Sequence, residues 1–184
     1  GSGVVATVPL PKGTLVWVQD PLDLVLTPRR LQRLHPALRL ILDRYGYDDP
    51  EGNTILCWDG GRMMNHSCDP TTRGLGPHAL VTRRPLRAGD PITCDYAECN
   101  LSEDLQCACG AENCRGRVTG TDLLTLGWHW DEEAEELAKR AAKVDQPLLE
   151  FALYREDLED YLAGRSTLPP FASQCSSRVS HGYH

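Results

Sequence analysis

The side chains best suited to chemistry lie in three short segments in the middle of the chain. Residues 62–70 read Arg-Met-Met-Asn-His-Ser-Cys-Asp-Pro, residues 94–96 read Cys-Asp-Tyr, and Cys107, Cys109 and Cys114 follow in a Cys-x-Cys-x4-Cys pattern. Asparagine, histidine and tyrosine side chains can hold and orient a polar ligand. Clustered thiols are ligands for a soft metal ion. Within 53 residues, these segments predict one composite site.

The cysteine cluster predicts a zinc site. Three thiolates in a tight loop are one short of the four that a closed structural site uses, at about 2.3 Å from the metal. Cys99 can supply the fourth and keep the set local, or Cys68 can supply it and tie this loop to the Asn-His segment. Free thiols in a flexible loop are the alternative. A zinc ion would stabilise residues 99–120 strongly, because that stretch has few apolar side chains.

The other polar residues are weak signals when taken one at a time. Asn65 and His66 alone are more typical of a hydrogen-bonded loop than of a ligand contact, and Tyr96 alone is typical of an ordinary strand end. Only the order of the segments along the chain favours a functional interpretation.

Length and composition favour one globular domain with a small appendage. The chain has 184 residues, 41% of them hydrophobic and 24% charged. No apolar run approaches the roughly 20 residues of a membrane span, and no signal peptide is visible. Gly1 already lies inside a motif, so the sequence is also compatible with a leader that was removed ahead of Gly1.

The charge is unevenly distributed. Residues 131–160 hold 11 acidic and 4 basic side chains, which accounts for the whole formal net charge of −7. This pattern argues against nucleic-acid binding, which needs a basic patch. The acidic segment is typical of a solvated helix face, and it would also attract a lysine-rich partner.

The eight cysteines are too unevenly spread for a secreted disulfide framework. Four of them fit one metal site, and the others resemble small buried apolar residues. The distribution predicts a reducing, intracellular compartment, cytoplasmic or nuclear, with a secreted effector as the alternative if a leader was removed.

The first third of the chain predicts short strands followed by helices. Residues 1–26 alternate β-rich runs with turn signals, which predicts a small antiparallel meander. Thr27 and Pro28 predict a helix start. An apolar stripe follows at helical spacing, and Pro36 divides it into two short helices.

The rest of the chain predicts more strands and then helices. Strand-like segments occupy residues 54–58, 78–84 and 91–96, with a loop over residues 59–77. Asp131 predicts the N-cap of a long helix, and a second helix follows Pro147. Residues 164–184 predict a loose tail.

The order of these segments resembles the SET domain of protein lysine methyltransferases. Residues 1–6, Gly-Ser-Gly-Val-Val-Ala, resemble the family's first motif, and residues 9–13 match the turn that follows it. Residues 79–90 resemble the paired strands that lead into the family's terminal Asp-Tyr. Residues 107–116 are similar to a post-SET motif. The resemblance covers residues 1–118.

The resemblance implies a mainly β fold with appended helices, in the α+β class. Small sheets would form a β-clip-like SET fold, in which the Asn-His segment and the Asp-Tyr strand lie side by side in a pseudoknot. The SET domain would span residues 1–104, with a helical insert at about 27–50. A post-SET zinc segment would follow at 105–120, and a C-terminal helical extension and tail at 121–184.

The resemblance also implies two cofactors and the residues that hold them. Cys68 would join Cys107, Cys109 and Cys114 on one structural zinc ion. Tyr96 would be the catalytic residue, placed where cofactor and substrate lysine meet, and His66 would contribute mainly backbone contacts. S-adenosyl-L-methionine would lie against Gly1, Ser2, Gly3, Val4, Asn65, His66 and Tyr96.

The implied activity is protein-lysine N-methylation of a lysine-containing, basic protein segment such as a histone tail. The alternative is a non-catalytic SET-like module that binds a lysine-rich segment in the same groove. A zinc-dependent hydrolase or deaminase is disfavoured, because four cysteines would leave no coordination position for activated water.

Cys94 departs from the family pattern. It lies two residues before Tyr96, where the family usually carries phenylalanine or tyrosine. That position resembles the family's product-specificity switch, in which bulk in the lysine channel limits the number of methyl groups added. The smaller cysteine predicts a roomy channel that favours di- or trimethylation.

Overall fold

The computed structural model describes residues 2–101 and 103–176, which form short strands in several small sheets. The strands are β1 (Val4–Val5), β2 (Leu15–Val18), β3 (Leu24–Leu26), β4 (Tyr47–Asp48), β5 (Thr54–Leu56), β6 (Asn65–His66), β7 (Thr72–Gly74), β8 (Ala79–Thr82), β9 (Pro91–Cys94), β10 (Leu105–Gln106) and β11 (Arg117–Val118). The α-helices are α1 (Pro28–Gln32), α2 (Pro36–Tyr45), α3 (Asp122–Ala141) and α4 (Arg155–Leu162). Single 3₁₀ turns span Gly60–Met63, Tyr96–Cys99, Leu149–Phe151 and Phe171–Gln174.

The strands form three three-stranded sheets and a hairpin. Their orders are β1-β9-β6, β2-β8-β7 and β3-β5-β4, and β10 pairs with β11. None of the helices in the described part of the chain has the length and apolar content that crossing a bilayer requires. The predicted α+β class, with small sheets and appended helices, is confirmed.

The sheet β1-β9-β6 brings the two polar segments together. Strand β6 runs parallel to β9, with Asn65 opposite Thr93 and His66 opposite Cys94. The backbone N–H of Ser67 continues the ladder by donating to the Cys94 carbonyl at 3.0 Å. The Asn-His segment and the strand leading to Asp-Tyr therefore lie side by side, as predicted.

The predicted N-terminal meander is wrong, although its strands exist. Strands β1, β2 and β3 belong to three different sheets and pair with later strands. After β1 the chain does not turn back. Instead the N–H of Ala6 donates to the Asp90 carbonyl at 2.9 Å, and Leu10 forms a bridge with Leu86. Local turn residues indicate where a strand ends, but they do not determine its partner.

The strands before Tyr96 also differ from the prediction. β8 and β9 lie in different sheets, because residues 83–90 run beside residues 6–10 instead of closing a hairpin. The predicted loop over 59–77 contains strands β6 and β7. Strand β9 ends at Cys94, and Tyr96 begins the 3₁₀ turn Tyr96–Cys99, called the Tyr96 turn below.

The two helices of the insert follow the sequence signals. Thr27 caps α1 by accepting a hydrogen bond from the Arg30 N–H, and Pro28 is its first residue. Pro36 begins α2, so the proline divides the apolar stripe as predicted. Each proline fits a first helical turn, where its missing N–H has no partner to lose.

The long C-terminal helix begins nine residues earlier than predicted. Helix α3 starts at Asp122, and Asp131 lies in its interior. Residues Leu123, Gly127 and Trp130 of the first turns are buried against the sheet core. This burial stabilises the helix without a cap at Asp131, whose carboxylate accepts the N–H of Phe171 at 2.7 Å.

The predicted loose tail is wrong for residues 164–176. Phe171 is 2% exposed and packs edge-on against Trp130, with ring centroids 5.6 Å apart. Ser176 is completely buried. Phe171 and the buried Ser176 hold this polar segment against the rest of the protein, although its composition predicts a loose tail. The predicted tail residues 177–184 lie outside the described residues.

Candidate active site

Asn65 links strand β6 to the N-terminal segment. Its side-chain amide donates a hydrogen bond to the Ser2 carbonyl at 3.1 Å. A Cβ atom on Gly3 would lie 2.6 Å from the same amide nitrogen, so this approach requires glycine. Val4 pairs with Ile92 in the sheet. Ser2, Gly3, Val4 and Asn65 therefore converge, and Gly1 lies outside the described residues.

His66 faces the interior, between Tyr96 and the cysteine cluster. Its side chain is 5% exposed, and its Nδ1 atom accepts the backbone N–H of Tyr96 at 3.1 Å. The Nε2 atom lies 3.3 Å from the Cys68 sulfur. Burial lowers the pKa of His66, and the nearby Asp95 carboxylate opposes this effect. The neutral imidazole of His66 therefore holds the start of the Tyr96 turn through this hydrogen bond.

Among the described residues, the Tyr96 hydroxyl has one hydrogen-bond partner. It donates to the Met64 carbonyl at 2.8 Å. Burial, with smaller contributions from Cys94 and Cys99, raises the pKa of Tyr96 to about 12. The phenol keeps its proton at physiological pH, so it can orient a ligand but is a poor general base.

A cavity of about 560 Å³ opens beside Tyr96. It lies between the insert, the Asn-His segment and the Tyr96 turn, and it is large enough to admit an extended side chain. Its lining includes Trp17, Tyr47, Cys57, Cys94, Tyr96 and Cys99. The lining also contains charged side chains, among them Arg44, Arg62 and Glu98, so aromatic rings and thiols form only part of the wall around Tyr96.

Tyr47 is a cavity residue that sequence reasoning missed. Its hydroxyl is buried and has no hydrogen-bond partner among the described residues. Burial raises the pKa of Tyr47 well above its ordinary value, so the phenol stays neutral. A buried donor without a partner is unfavourable unless a ligand satisfies it. The sequence showed Tyr47 only as the residue after Gly46, with no indication that it faces the site.

Cys94 lines the same cavity and contacts Cys99. The two thiols form a side-chain hydrogen bond, and this contact and burial raise the pKa of Cys94 well above its ordinary value. The Cys94 side chain is therefore a small, neutral wall residue. Cys99 also lines this cavity and contacts Cys94.

Asp95 and Arg115 connect the Tyr96 turn to the cysteine loop, and sequence reasoning missed this pair as well. Both Arg115 terminal nitrogens donate to the Asp95 carboxylate, at 2.8 and 2.6 Å. Asp95 is 1% exposed and also caps the turn by accepting the Ala97 N–H at 3.1 Å. A bidentate arginine bond of this kind fixes orientation as well as distance.

The thiols of the predicted zinc site lie close together. The Cys107 sulfur is 3.8 Å from that of Cys68 and 3.7 Å from that of Cys114. The Cys68 N–H donates to the Cys109 sulfur at 3.4 Å. Ligand atoms of His66, Cys68, Cys107 and Cys109 all lie within 4.8 Å of one another.

The sulfur spacings around Cys107 fit a tetrahedral zinc ion, although the mutually close ligand atoms include those of His66 and not Cys114. Four sulfur atoms at about 2.3 Å from one metal lie about 3.8 Å apart, and the spacings around Cys107 agree with that value. Backbone N–H groups of Cys68 and Ala111 lower the pKa of Cys109 to about 6, whereas burial raises the pKa of Cys107 to about 12. Metal binding must therefore displace protons from the cluster.

Comparison with known proteins identifies the family. The model of the SET domain matches residues 1–97, more than half of the chain. The chain belongs to the SET-domain family. The match covers the N-terminal motif, the Asn-His segment and Tyr96.

Relatives of this SET domain are histone-lysine N-methyltransferases by name. The met-2 protein of Caenorhabditis elegans is 39% identical over 72 residues, which is 32% of this chain and 6% of that protein. Set2 of Drosophila melanogaster is 36% identical over 81 residues, 40% of this chain and 4% of that protein. SETD2 of Homo sapiens is 28% identical over 107 residues, 54% of this chain and 4% of that protein. The matches thus span a small part of each relative.

A solved structure also resembles this SET domain. The methyltransferase domain of human histone-lysine N-methyltransferase SETMAR aligns with a TM-score of 0.46 at 21% sequence identity. The alignment covers 62% of this chain and 52% of that one.

Proposed function

We propose that this SET domain is a protein-lysine N-methyltransferase that uses S-adenosyl-L-methionine. The observation that carries the proposal is the pairing of strand β6, which holds Asn65 and His66, with the strand that leads to Tyr96, a residue that lines the cavity. A basic protein segment such as a histone tail is the proposed substrate, in the nucleus or cytoplasm. The names of the relatives support this substrate class.

The residues of the sheet β1-β9-β6 would hold the cofactor. S-adenosyl-L-methionine supplies a methyl group already activated by a sulfonium. Ser2, Gly3 and Val4 present backbone groups beside Asn65, whose amide is available for the polar end of the ligand. Gly1 stays in the proposed set through its place in the family motif. His66 would act mainly through its backbone, because its Nδ1 atom already accepts the Tyr96 N–H.

Tyr96 and the cavity would act on the substrate lysine. The amine must be neutral to attack, although its reference pKa is about 10.4. An apolar channel disfavours the ammonium form, and alignment in a site without water supplies much of the rate. Tyr96 would orient the amine with its protonated hydroxyl, and it would not remove the proton.

Cys68, Cys107, Cys109 and Cys114 are the proposed zinc ligands. His66 competes with Cys114 for the fourth position by distance. However, its Nδ1 atom accepts a hydrogen bond from Tyr96, so in the neutral ring the Nε2 atom carries the proton. That N–H can donate to the Cys68 sulfur but cannot bind a metal. The zinc ion would join the segment of the Asn-His pair to the post-SET loop.

Methylation of a cell lysate with labelled cofactor tests the function. We expect labelled lysines with the wild type, and their mass-spectrometric mapping identifies the substrate. We expect Asn65→Ala to lose cofactor binding and labelling together. Tight binding of a lysine-rich peptide without turnover on any lysate protein would favour the alternative, a non-catalytic binding module.

Cys94→Tyr should change the product. The wild-type channel has room beside Cys94 for a methylated amine, so we expect di- or trimethyllysine. A tyrosine in this position would fill that space and stop the reaction at monomethyllysine. Mass spectrometry of peptide products at long reaction times measures the distribution. A wild type that stops at monomethyllysine would refute the role of Cys94.

Tyr47→Phe should lower kcat about tenfold. The unpartnered hydroxyl of Tyr47 would hydrogen-bond to the substrate amine, and one such bond contributes about 1.4 kcal/mol. The free protein should keep its stability, because the hydroxyl has no partner to lose among the described residues. Steady-state kinetics with a peptide substrate check the effect, and unchanged kcat would exclude Tyr47 from the reaction.

A further inference from the structure

Asn100 connects three distant parts of the chain directly behind the Tyr96 turn. It is 4% exposed and has a left-handed backbone conformation, with φ of 53°. Its side-chain amide donates to the carbonyls of Asp48 and Gln174, both at 3.0 Å. Its side-chain oxygen accepts the Ser176 N–H at 2.7 Å. One asparagine thus uses both ends of its amide to join the insert and the C-terminal segment to the turn.

A second connection reaches the same turn from helix α3. Arg73 is 3% exposed and forms ion pairs with Glu98 in the Tyr96 turn and, at 3.0 Å, with Glu133 in α3. Its guanidinium lies over the ring of Trp130, 4.6 Å from the centroid. Glu98 also accepts the Gly74 N–H at 2.8 Å. A buried arginine paired on both sides fixes the relative position of the two elements.

The C-terminal extension (residues 122–176) therefore contacts the turn at two independent points. Tyr96, Glu98 and Cys99 of this turn line the substrate cavity, and Gln174 of the extension lines it too. The extension follows the part of the chain that the SET-domain model matches. It thus adds Gln174 to a cavity whose other lining residues lie between Trp17 and Leu105.

We propose that Asn100 is a positioning residue through which the C-terminal extension sets the place of the Tyr96 turn. The proposal rests on the proposed methyltransferase function. Asn100 touches neither ligand, and it acts by holding the turn against residues 174–176 and Asp48. A displacement of about 1 Å at a reacting group can lower a rate about a hundredfold. We expect kcat to fall about tenfold when the turn is loosened at one of its two attachments.

Two variants separate the hydrogen bonds of Asn100 from its backbone. Asn100→Gly keeps the left-handed conformation, which glycine adopts freely, and removes all three bonds. Ser176→Pro removes only the N–H that donates to Asn100, and Cys175 has the extended conformation that a following proline requires. Ser176→Ala, which retains that N–H, is its matched control. Leu158→Ala, in the buried face of α4, is the control for lost stability.

The experiment measures kinetics, cofactor binding and hydrogen exchange at a temperature where every variant is folded. We expect Asn100→Gly and Ser176→Pro to lower kcat about tenfold, to leave the Kd of S-adenosyl-L-methionine within twofold, and to speed amide exchange in residues 96–101. We expect Ser176→Ala and Leu158→Ala to keep wild-type kcat and wild-type exchange in that segment.

Two results would overturn the proposal. One is unchanged exchange in residues 96–101 and unchanged kcat in Asn100→Gly. The other is a kcat loss in Leu158→Ala that equals the loss in Asn100→Gly at the same loss of stability, because the effect would then be general. Failure of the proposed function gives a different result, namely a wild type without methyl transfer, and the exchange measurement still tests the attachment in that case.

Discussion

Tyr96→Phe should lower kcat roughly a hundredfold and leave the affinity for S-adenosyl-L-methionine nearly unchanged. The hydroxyl belongs to a residue of the cavity lining, and its bond to the Met64 carbonyl fixes its direction. Phenylalanine keeps the aromatic ring but lacks the hydroxyl that would orient the substrate amine. Single-turnover kinetics and cofactor titration separate the two effects. Tyr161→Phe, on α4 and outside the cavity lining, is the matched control.

The pH dependence gives an independent check of the role of Tyr96. Burial raises the pKa of its phenol to about 12, so the protonated form persists at every pH below that value. Activity should therefore rise with pH as the substrate lysine loses its proton, with no loss from ionisation of Tyr96 up to pH 10. A fall in kcat between pH 8 and pH 10 that disappears in Tyr96→Phe would contradict this assignment.

Removal of zinc should weaken cofactor binding at least tenfold and should also loosen residues 105–118. A structural zinc site contributes on the order of 10 kcal/mol to folding. Residues 105–118 depend on it, since their only regular structure is the two-residue hairpin β10-β11. Cys68 lies two residues after His66, so the loss of its metal bond would free the strand that is proposed to hold the cofactor. Cys68→Ser should have the same effect as a chelator.

Two measurements and one control variant check this prediction. Elemental analysis should give one zinc per chain in the wild type and none in Cys68→Ser. Calorimetry should show cofactor affinity reduced at least tenfold without zinc. Cys175→Ser, a half-buried cysteine outside the cluster, should keep both properties. Normal cofactor binding by the zinc-free protein would disprove the link between the metal and the Asn-His segment.

The sequence predicts the site better than it predicts the strand pairing. Asn65, His66, Tyr96 and the cysteines stand in short motifs, where residue type and spacing limit the chemistry. The partner of strand β1 is not a local property. Val4 pairs with Ile92, and no feature near either residue specifies that pairing. The meander prediction failed because turn residues report only the local course of the chain.

The missed residues share a physical cause. Tyr47, Arg115 and Asn100 gain their roles from burial and from partners far away in sequence. Arg115 lies in a glycine-rich loop, and its sequence context does not indicate a role. That role depends on its hydrogen bonds to Asp95. Likewise, Phe171 anchors a polar segment that composition alone makes a loose tail. Single side chains that join distant segments leave no periodic signal.

The sheet β1-β9-β6 also has a consequence for the order of folding. Val4 pairs with Ile92, and Asn65 pairs with Thr93. Strands β1 and β6 therefore lack this partner until residues 91–94 have left the ribosome. Pairings of such long sequence separation are slow to form. The strand that leads into Tyr96 is thus the one that closes the sheet. During synthesis, the proposed binding site is assembled by the same event that delivers Tyr96, its proposed catalytic residue.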